Sequence, residues 1–272
     1  KDYNFPTLTE LNNLRKKFGV QLSNDKIFNK NIKDKLFDSL KIKKRYVCLY
    51  LRPYFESFEK KEIDLELDPR CTSDISSFYS IINHLKLLNF DIVLVGKNKF
   101  NKKLNDLGVI NYSSSQYQNI VNDMYIYYYC EFMIANPGGP SVYPWIFDKP
   151  CLALNATTFW AFPNWEKYIY HPKKIIDIKK KKQLKFSEII NNPIIYEQGN
   201  KSYNLQNLMT EDLTEKELLE STKYFIEQYN KKDFNQDLHL YSKMYDRLSF
   251  YHLGFKESFS RISEKYLNSI ND

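Results

Sequence analysis

The 272-residue chain predicts an α/β fold: a Rossmann-like parallel sheet flanked by helices, with a helical C-terminal tail. Three observations carry that expectation. Apolar runs of strand length alternate with helical stretches at spacings of about 20–40 residues, as right-handed βαβ crossovers require. The segment 73–88 (SDISSFYSIINHLKLL) is the clearest amphipathic helix, with Ile75, Phe78, Ile82 and Leu85 on one face. The stretch Glu131–Asn155 holds an apolar run, a tight Gly/Pro loop, a short helix and a second apolar run in succession.

Residues 7–17 form a helix capped by Thr7 or Thr9 and supported by Glu10, and the Lys-rich stretch 26–44 is a helix plus linker. YVCLYL (46–51) is a buried strand ending in Arg52-Pro53, and 53–72, charged and with two prolines, is a long loop. Ser73 opens the amphipathic helix, and a second strand at 91–95 halts at Gly96. A short helix (102–107), a strand (109–112), a helix (117–129) and a strand (132–135) lead into the Pro137–Pro140 loop. A helix over 141–147 and a strand at 151–154 close that unit. Further on come a strand at 174–178, helices at 187–191 and 214–229, and helical segments at 237–250 and 256–270.

Composition narrows the class. Hydrophobic residues at 43% supply an ample core, so wholesale disorder is excluded. The 22 Tyr and 19 Phe accompany abundant Lys, Asn and Ile, a mark of AT-rich coding, and are not taken as a binding signature. A formal charge of +7 suits anionic substrates or an anionic membrane surface. Without a dense basic helix or RNA-binding motif it makes no case for nucleic acid. Cys48, Cys71, Cys130 and Cys151 lack metal-ligand or redox spacing, which points to a reducing compartment. With no secretory signal and no span of about 18 apolar residues, the expected location is cytoplasmic. The first residue is Lys rather than Met, so removal of an N-terminal part is expected.

In open α/β sheets, ligands bind beyond the carboxyl ends of the strands. Arg52 follows the first strand, Gly96 and Lys97 the second, and Asn136–Ser141 the fourth. Gly138 and Gly139 serve a close backbone approach or a plain turn, and Ser141 either caps the helix or donates to phosphate. A guanidinium at Arg52 suits a diphosphate; the alternative is a surface pair with a loop carboxylate. Asp123, ahead of the fourth strand, is a candidate base or a simple helix-end pairing group. Arg70 either helps a ligand or, with Asp74, starts the helix at 73. Asp64 and Glu66 form an acidic pair too common in charged loops to argue for a metal, and no His has a partner at zinc spacing. Lys179–Lys182 is a solvated turn or a contact for anionic lipid headgroups. No GxGxxG or P-loop pattern occurs.

The order of these pieces resembles a family of bacterial glycosyltransferases found with surface-polysaccharide (O-antigen and capsule) biosynthesis. That family has a strand ending in His-x-Arg-Glu-Pro-Gly-Tyr, similar to YLRPYF (50–55) here. Its Arg-Asn-x-x-Ile-x-x-Tyr helix start resembles RCTSDISSFY (70–79), and its Val-x-Arg-x-Gly strand end resembles VLVG (93–96). DMYIYYYCEFMIANPGG (123–139), FDKPCLALN (147–155) and SRISEKYL (260–267) echo three further motifs in the same order. The family's His, Glu, Arg and Ser are replaced here by Tyr50, Pro53, Leu94 and Gly138.

The resemblance implies a GT-B-like enzyme whose C-terminal, Rossmann-like domain binds a nucleotide-sugar donor. Residues 45–272 correspond to that domain, and 1–44 to a helical remnant of a truncated N-terminal domain. No metal or other cofactor is implied: helix N-termini and basic side chains stabilise the leaving diphosphate. Arg52, Arg70, Gly96, Lys97, Gly138, Gly139, Ser141 and Asn155 are the implied donor-binding positions, with Asp123 as base. The implied acceptor is a surface glycan or glycolipid, met by an enzyme peripheral to the inner membrane. The alternatives are a pyruvyl-transferase-like enzyme of the same pathway and a non-catalytic nucleotide-sugar-binding module.

Overall fold

The computed structural model describes residues 28–52, 75–96, 102–156, 167–192, 200–232, 234 and 261–262. The expected helix at 7–17, the loop at 53–72, Ser73 and the helix at 237–250 lie outside these residues, as do Arg70 and Lys97.

Helix α1 (Lys30–Leu40) starts at Asn29, whose side chain accepts from the N–H groups of Asn31 and Ile32. It ends where Lys41 turns left-handed. Strand β1 (Tyr46–Tyr50) is buried at every residue, as a central parallel strand must be. The amphipathic segment begins as a 3₁₀ turn (Ile75–Phe78) and continues as α2 (Tyr79–Leu87). Then come β2 (Asp91–Leu94), α3 (Lys102–Asp106) and β3 (Ile110–Asn111). Helix α4 (Ile120–Tyr129) begins three residues later than the periodicity indicates, because Asn119 caps it by accepting from Val121 and Asn122. After β4 (Met133–Ala135), a 3₁₀ turn over Gly139–Val142 passes into the one-turn helix α5 (Tyr143–Ile146).

Strands β5 (Cys151–Ala156) and β6 (Tyr168–Pro172) follow. The second was not anticipated, because its Tyr, His and Pro residues mask an apolar pattern. The expected strand at 174–178 exists as β7 (Lys174–Asp177), but it belongs to a separate sheet. There it pairs antiparallel with β8 (Lys182–Gln183) on one side and β9 (Leu208–Glu211) on the other. Helices α6 (Phe186–Ile190) and α7 (Asn200–Leu205) precede β9. Helix α8 (Glu215–Lys231) is opened by a Thr214/Glu217 capping box. Inside the expected helix at 256–270, Arg261–Ile262 form a strand, β10, instead. The edge of β6 offers them a parallel partner.

The main sheet has the order β10-β6-β5-β4-β1-β2-β3, and each neighbouring pair is parallel. Alternate residues of each strand feed two cores. Tyr46, Cys48, Tyr50, Met133, Ala135 and Ala153 face α1 and α4. Val47, Leu49, Phe132, Ile134, Leu152 and Leu154 face α2 and α8. The domain is therefore a doubly wound α/β layer. The winding reverses between β1 and β4, which opens a crevice beyond the carboxyl ends of those two strands.

One buried side chain fixes that crevice. Asn136, fully buried after β4, accepts from the Arg52 N–H at 2.9 Å and donates to the Leu154 carbonyl at 3.1 Å. Its own N–H donates to the Tyr50 carbonyl at 2.9 Å. Three adjacent strands are thus tied at their carboxyl ends. Asn136→Ala leaves a buried donor and a buried acceptor without these partners, and urea unfolding should show a loss of about 2–4 kcal/mol.

Candidate functional site

Two loops close on the Tyr50 ring. Gly96 has a φ of +82°, and a Cβ built there would lie 2.7 Å from one edge of the Tyr50 ring. A Cβ at Gly138 would lie 2.7 Å from the other edge and from the hydroxyl. Both glycines therefore exist to admit a tyrosine ring between two loops. The close approach foreseen at Gly138 is real, but the object approached is an internal aromatic side chain. Gly139 differs, since a Cβ there would meet nothing within 4 Å.

Beside this plug lies a cavity of ≈ 680 Å³. Tyr50, Gly96 and Gly139 line it, together with Asp123 and Tyr127 of α4 and Tyr143 of α5. Pro140, Val142 and Ile146 complete an apolar wall, and Gln118 reaches in with its side-chain amide donating to the Gly96 carbonyl at 3.0 Å. Tyr127 and Tyr143 stack nearly parallel, with centroids 4.3 Å apart. Burial pushes the Tyr127 hydroxyl far up from its ordinary range, so it stays a neutral donor.

Asp123 is the charged residue of the cavity lining. It accepts a 2.5 Å hydrogen bond from the Tyr112 hydroxyl. Withdrawal from water raises the carboxyl above its ordinary pKa, and the bond from Tyr112 opposes that shift in part. The Tyr112 hydroxyl is itself driven up by burial and by the neighbouring carboxylate, which keeps it protonated as the donor. The result is a positioned carboxylate with enhanced basicity, half-buried in an aromatic cavity.

The other expected site residues divide. Arg52 stands at the crevice, its N–H held by Asn136, and its side chain does not line the cavity. Gly96 and Gly139 line it; Gly138 packs on Tyr50 instead. Ser141 neither caps the helix nor points a spare proton at a ligand: its hydroxyl donates to the Gly138 carbonyl at 2.6 Å, and Gly138 holds the cap position. Asn155 sits in a left-handed conformation, fully buried, and accepts from the Leu213 N–H at 2.8 Å. It therefore secures the segment ahead of α8. The sequence reading missed Tyr50, Gln118, Tyr127 and Tyr143; only Tyr50, the last residue of a strand beside the crevice, carried a positional signal. Among the described residues no cluster of three or more His, Cys, Asp or Glu is placed to hold a metal. Compared with protein-family models, with curated proteins and with solved structures, the chain matches none.

Two outcomes follow from this geometry. Gly138→Ala should cost about 1–3 kcal/mol in denaturant melts, and that cost should largely vanish in a Tyr50→Ala background. Gly139→Ala should fall within about 0.5 kcal/mol of wild type. For Asp123 the raised pKa sets the sign of a pH effect. The protonated carboxyl is the form the fold prefers, so its stabilising contribution is complete below the ordinary value of 3.8 and fades as pH rises through the raised folded value. Asp123→Asn should therefore gain stability relative to wild type as pH climbs through that window, read by unfolding at a series of pH values.

Proposed function

We propose that this protein is a glycosyltransferase that moves a sugar from a nucleotide-sugar donor onto a bacterial surface glycan, of the O-antigen or capsule kind. The observation that carries the reading is the cavity at the winding reversal, with Asp123 facing aromatic walls. Its ≈ 680 Å³ falls in the range of small-molecule sites. A sugar ring presents apolar C–H faces to tyrosines and hydroxyls to a carboxylate, and this lining offers both partners.

In the proposed reaction an acceptor hydroxyl attacks the anomeric carbon, and its proton passes to the Asp123 carboxylate. The new C–O bond forms as the bond to the nucleoside diphosphate breaks, and the diphosphate leaves with the electron pair. A carboxylate of raised pKa is the better base for this step. Arg52, one residue past Leu51 at the crevice, is assigned to the diphosphate, with Arg70 and Lys97 as helpers. The reaction as proposed takes place on the cytoplasmic face of the inner membrane and uses no metal.

A second reading has its own observation. Tyr50 fills the space between Gly96 and Gly138, where the resembling family carries His, which favours a nucleotide-sugar-binding module without turnover. The two readings part in one experiment. A thermal-shift screen of nucleoside diphosphates and their sugars should give a selective shift, since ligand at 100 times its dissociation constant adds about 2.7 kcal/mol. Arg52→Ala should weaken the shift. Asp123→Asn should keep it while lowering sugar transfer about 100-fold or more. A shift with no transfer by the wild type supports the binding module; no shift with any nucleotide defeats both.

A further inference from the structure

The small antiparallel sheet carries features that the cavity does not use. Its register pairs Ile176 with Met209, so these two side chains share one face, opposite the face of Ile175 and Leu208 that joins the core. Met209 is 44% exposed on that outer face. Ile178, just past β7 and bonded through its N–H to the Asn207 carbonyl, is 45% exposed. Leu205, at the end of α7 two residues from Asn207, is 76% exposed. Three large apolar side chains thus stand in water around one edge of a three-stranded sheet.

The hairpin tip beside them is basic. Lys179, Lys180, Lys181 and Lys182 are all exposed. Asp177 holds Lys180 at 3.5 Å and Glu188 holds Lys182 at 3.6 Å, which neutralises the two carboxylates of the hairpin and α6. Backbone N–H bonds, from Lys180 to Asp177 and from Lys185 to Glu188, lower both carboxyl groups from their ordinary values, so they stay charged near neutral pH. Lys179 and Lys181 form no ion pair among the described residues. Farther along the outer face, Lys174 is paired with both Glu211 and Glu217.

We propose that this tip and outer face dock the protein onto an anionic lipid bilayer, with Lys179 and Lys181 at the headgroups and Ile178, Leu205 and Met209 at the acyl boundary. Charge complementarity selects the partner: unpaired lysines beside exposed aliphatic chains match a negative surface above hydrocarbon. The patch presents no exposed aromatic platform of the sort that single-stranded nucleic acids stack on. Three scattered aliphatic chains also fall far short of the roughly 800 Å² per partner that a stable protein interface buries. Either signal alone gives weak binding; the two together give reversible attachment. The proposal is independent of the cavity reading.

The test is flotation or co-sedimentation of the full 272-residue chain with vesicles. One set is pure phosphatidylcholine and the other contains about one-third phosphatidylglycerol, enough for a strongly negative surface. Binding is expected to the anionic set alone and to fall steeply between about 0.1 and about 0.5 M salt. Each lysine is worth about a five-fold change, so Lys179→Ala with Lys181→Ala should weaken partitioning about 25-fold. Leu205→Ser with Met209→Ser should weaken it about tenfold or more. These positions are exposed, and unchanged melting would show that the variants fold. Equal binding to both vesicle sets, or anionic binding untouched by either double variant, overturns the proposal. So does concentration-dependent self-association in sedimentation velocity that Leu205→Ser with Met209→Ser abolishes, since the face would then serve a second copy of the chain. A nucleotide shift in the melting screen would stand in any of these cases.

Discussion

The crevice depends on a buried amide. Asn136 spends its backbone N–H, its side-chain oxygen and its side-chain NH₂ on β1, on Arg52 just past β1 and on β5. A parallel sheet offers no tight hairpins to register neighbouring strands, so their carboxyl ends need a separate device. Here that device is one fully buried side chain at the point where the winding reverses. The site loops after β1 and β4 spring from strands that Asn136 ties together. A hydrophobic residue of equal size would fill the space but would leave main-chain groups unsatisfied.

Once the strand ends are fixed, the Tyr50 ring sets how near the loops can come. It occupies the gap that a Rossmann-like sheet commonly leaves for ligand, and it forces glycine at 96 and 138. The open volume lies beside that ring, where aromatic side chains and one carboxylate of α4 and α5 line it. That lining decides the chemistry on offer. A site formed by loop N–H groups favours phosphate; one formed by tyrosines and a basic carboxylate favours the sugar end of a donor. In the proposed reading, the two ends of a nucleotide sugar are met by different parts of the same crevice, with Arg52 assigned to one and Asp123 to the other.

The far side of the sheet is secured with equal economy. Asn155 holds the N–H of Leu213, and Lys173 is buried against Asp212. Ser221 of α8 donates to the Glu217 carbonyl at 2.9 Å and meets Nδ1 of His171 on β6. These bonds anchor α8 and the small sheet to β5 and β6. They explain how a sheet edge with a charged hairpin can sit beside the main core without unravelling it.

The sequence by itself determined the layer architecture. Continuous apolar runs such as YVCLYL can be satisfied only between two helical layers, and the period of the 73–88 segment names one of the helices. It determined the strand-end positions of Arg52, Gly96 and Asn136 as well, because these follow directly from where each run stops. Local chemistry also opened the helix at 214, where Thr214 and Glu217 form a capping box. Tertiary structure alone decided what those positions do. Gly138 reads the same whether it admits a phosphate or a phenol ring, since a glycine records only the absence of a side chain. Ser141 reads the same with its hydroxyl free or spent on the carbonyl of Gly138. The strands β6 and β10 exist because an exposed edge stabilises them, and Tyr112 reaches Asp123 because β3 and α4 are brought side by side. Composition and spacing report what a segment can bury along itself; which groups meet across the fold is set by long-range packing.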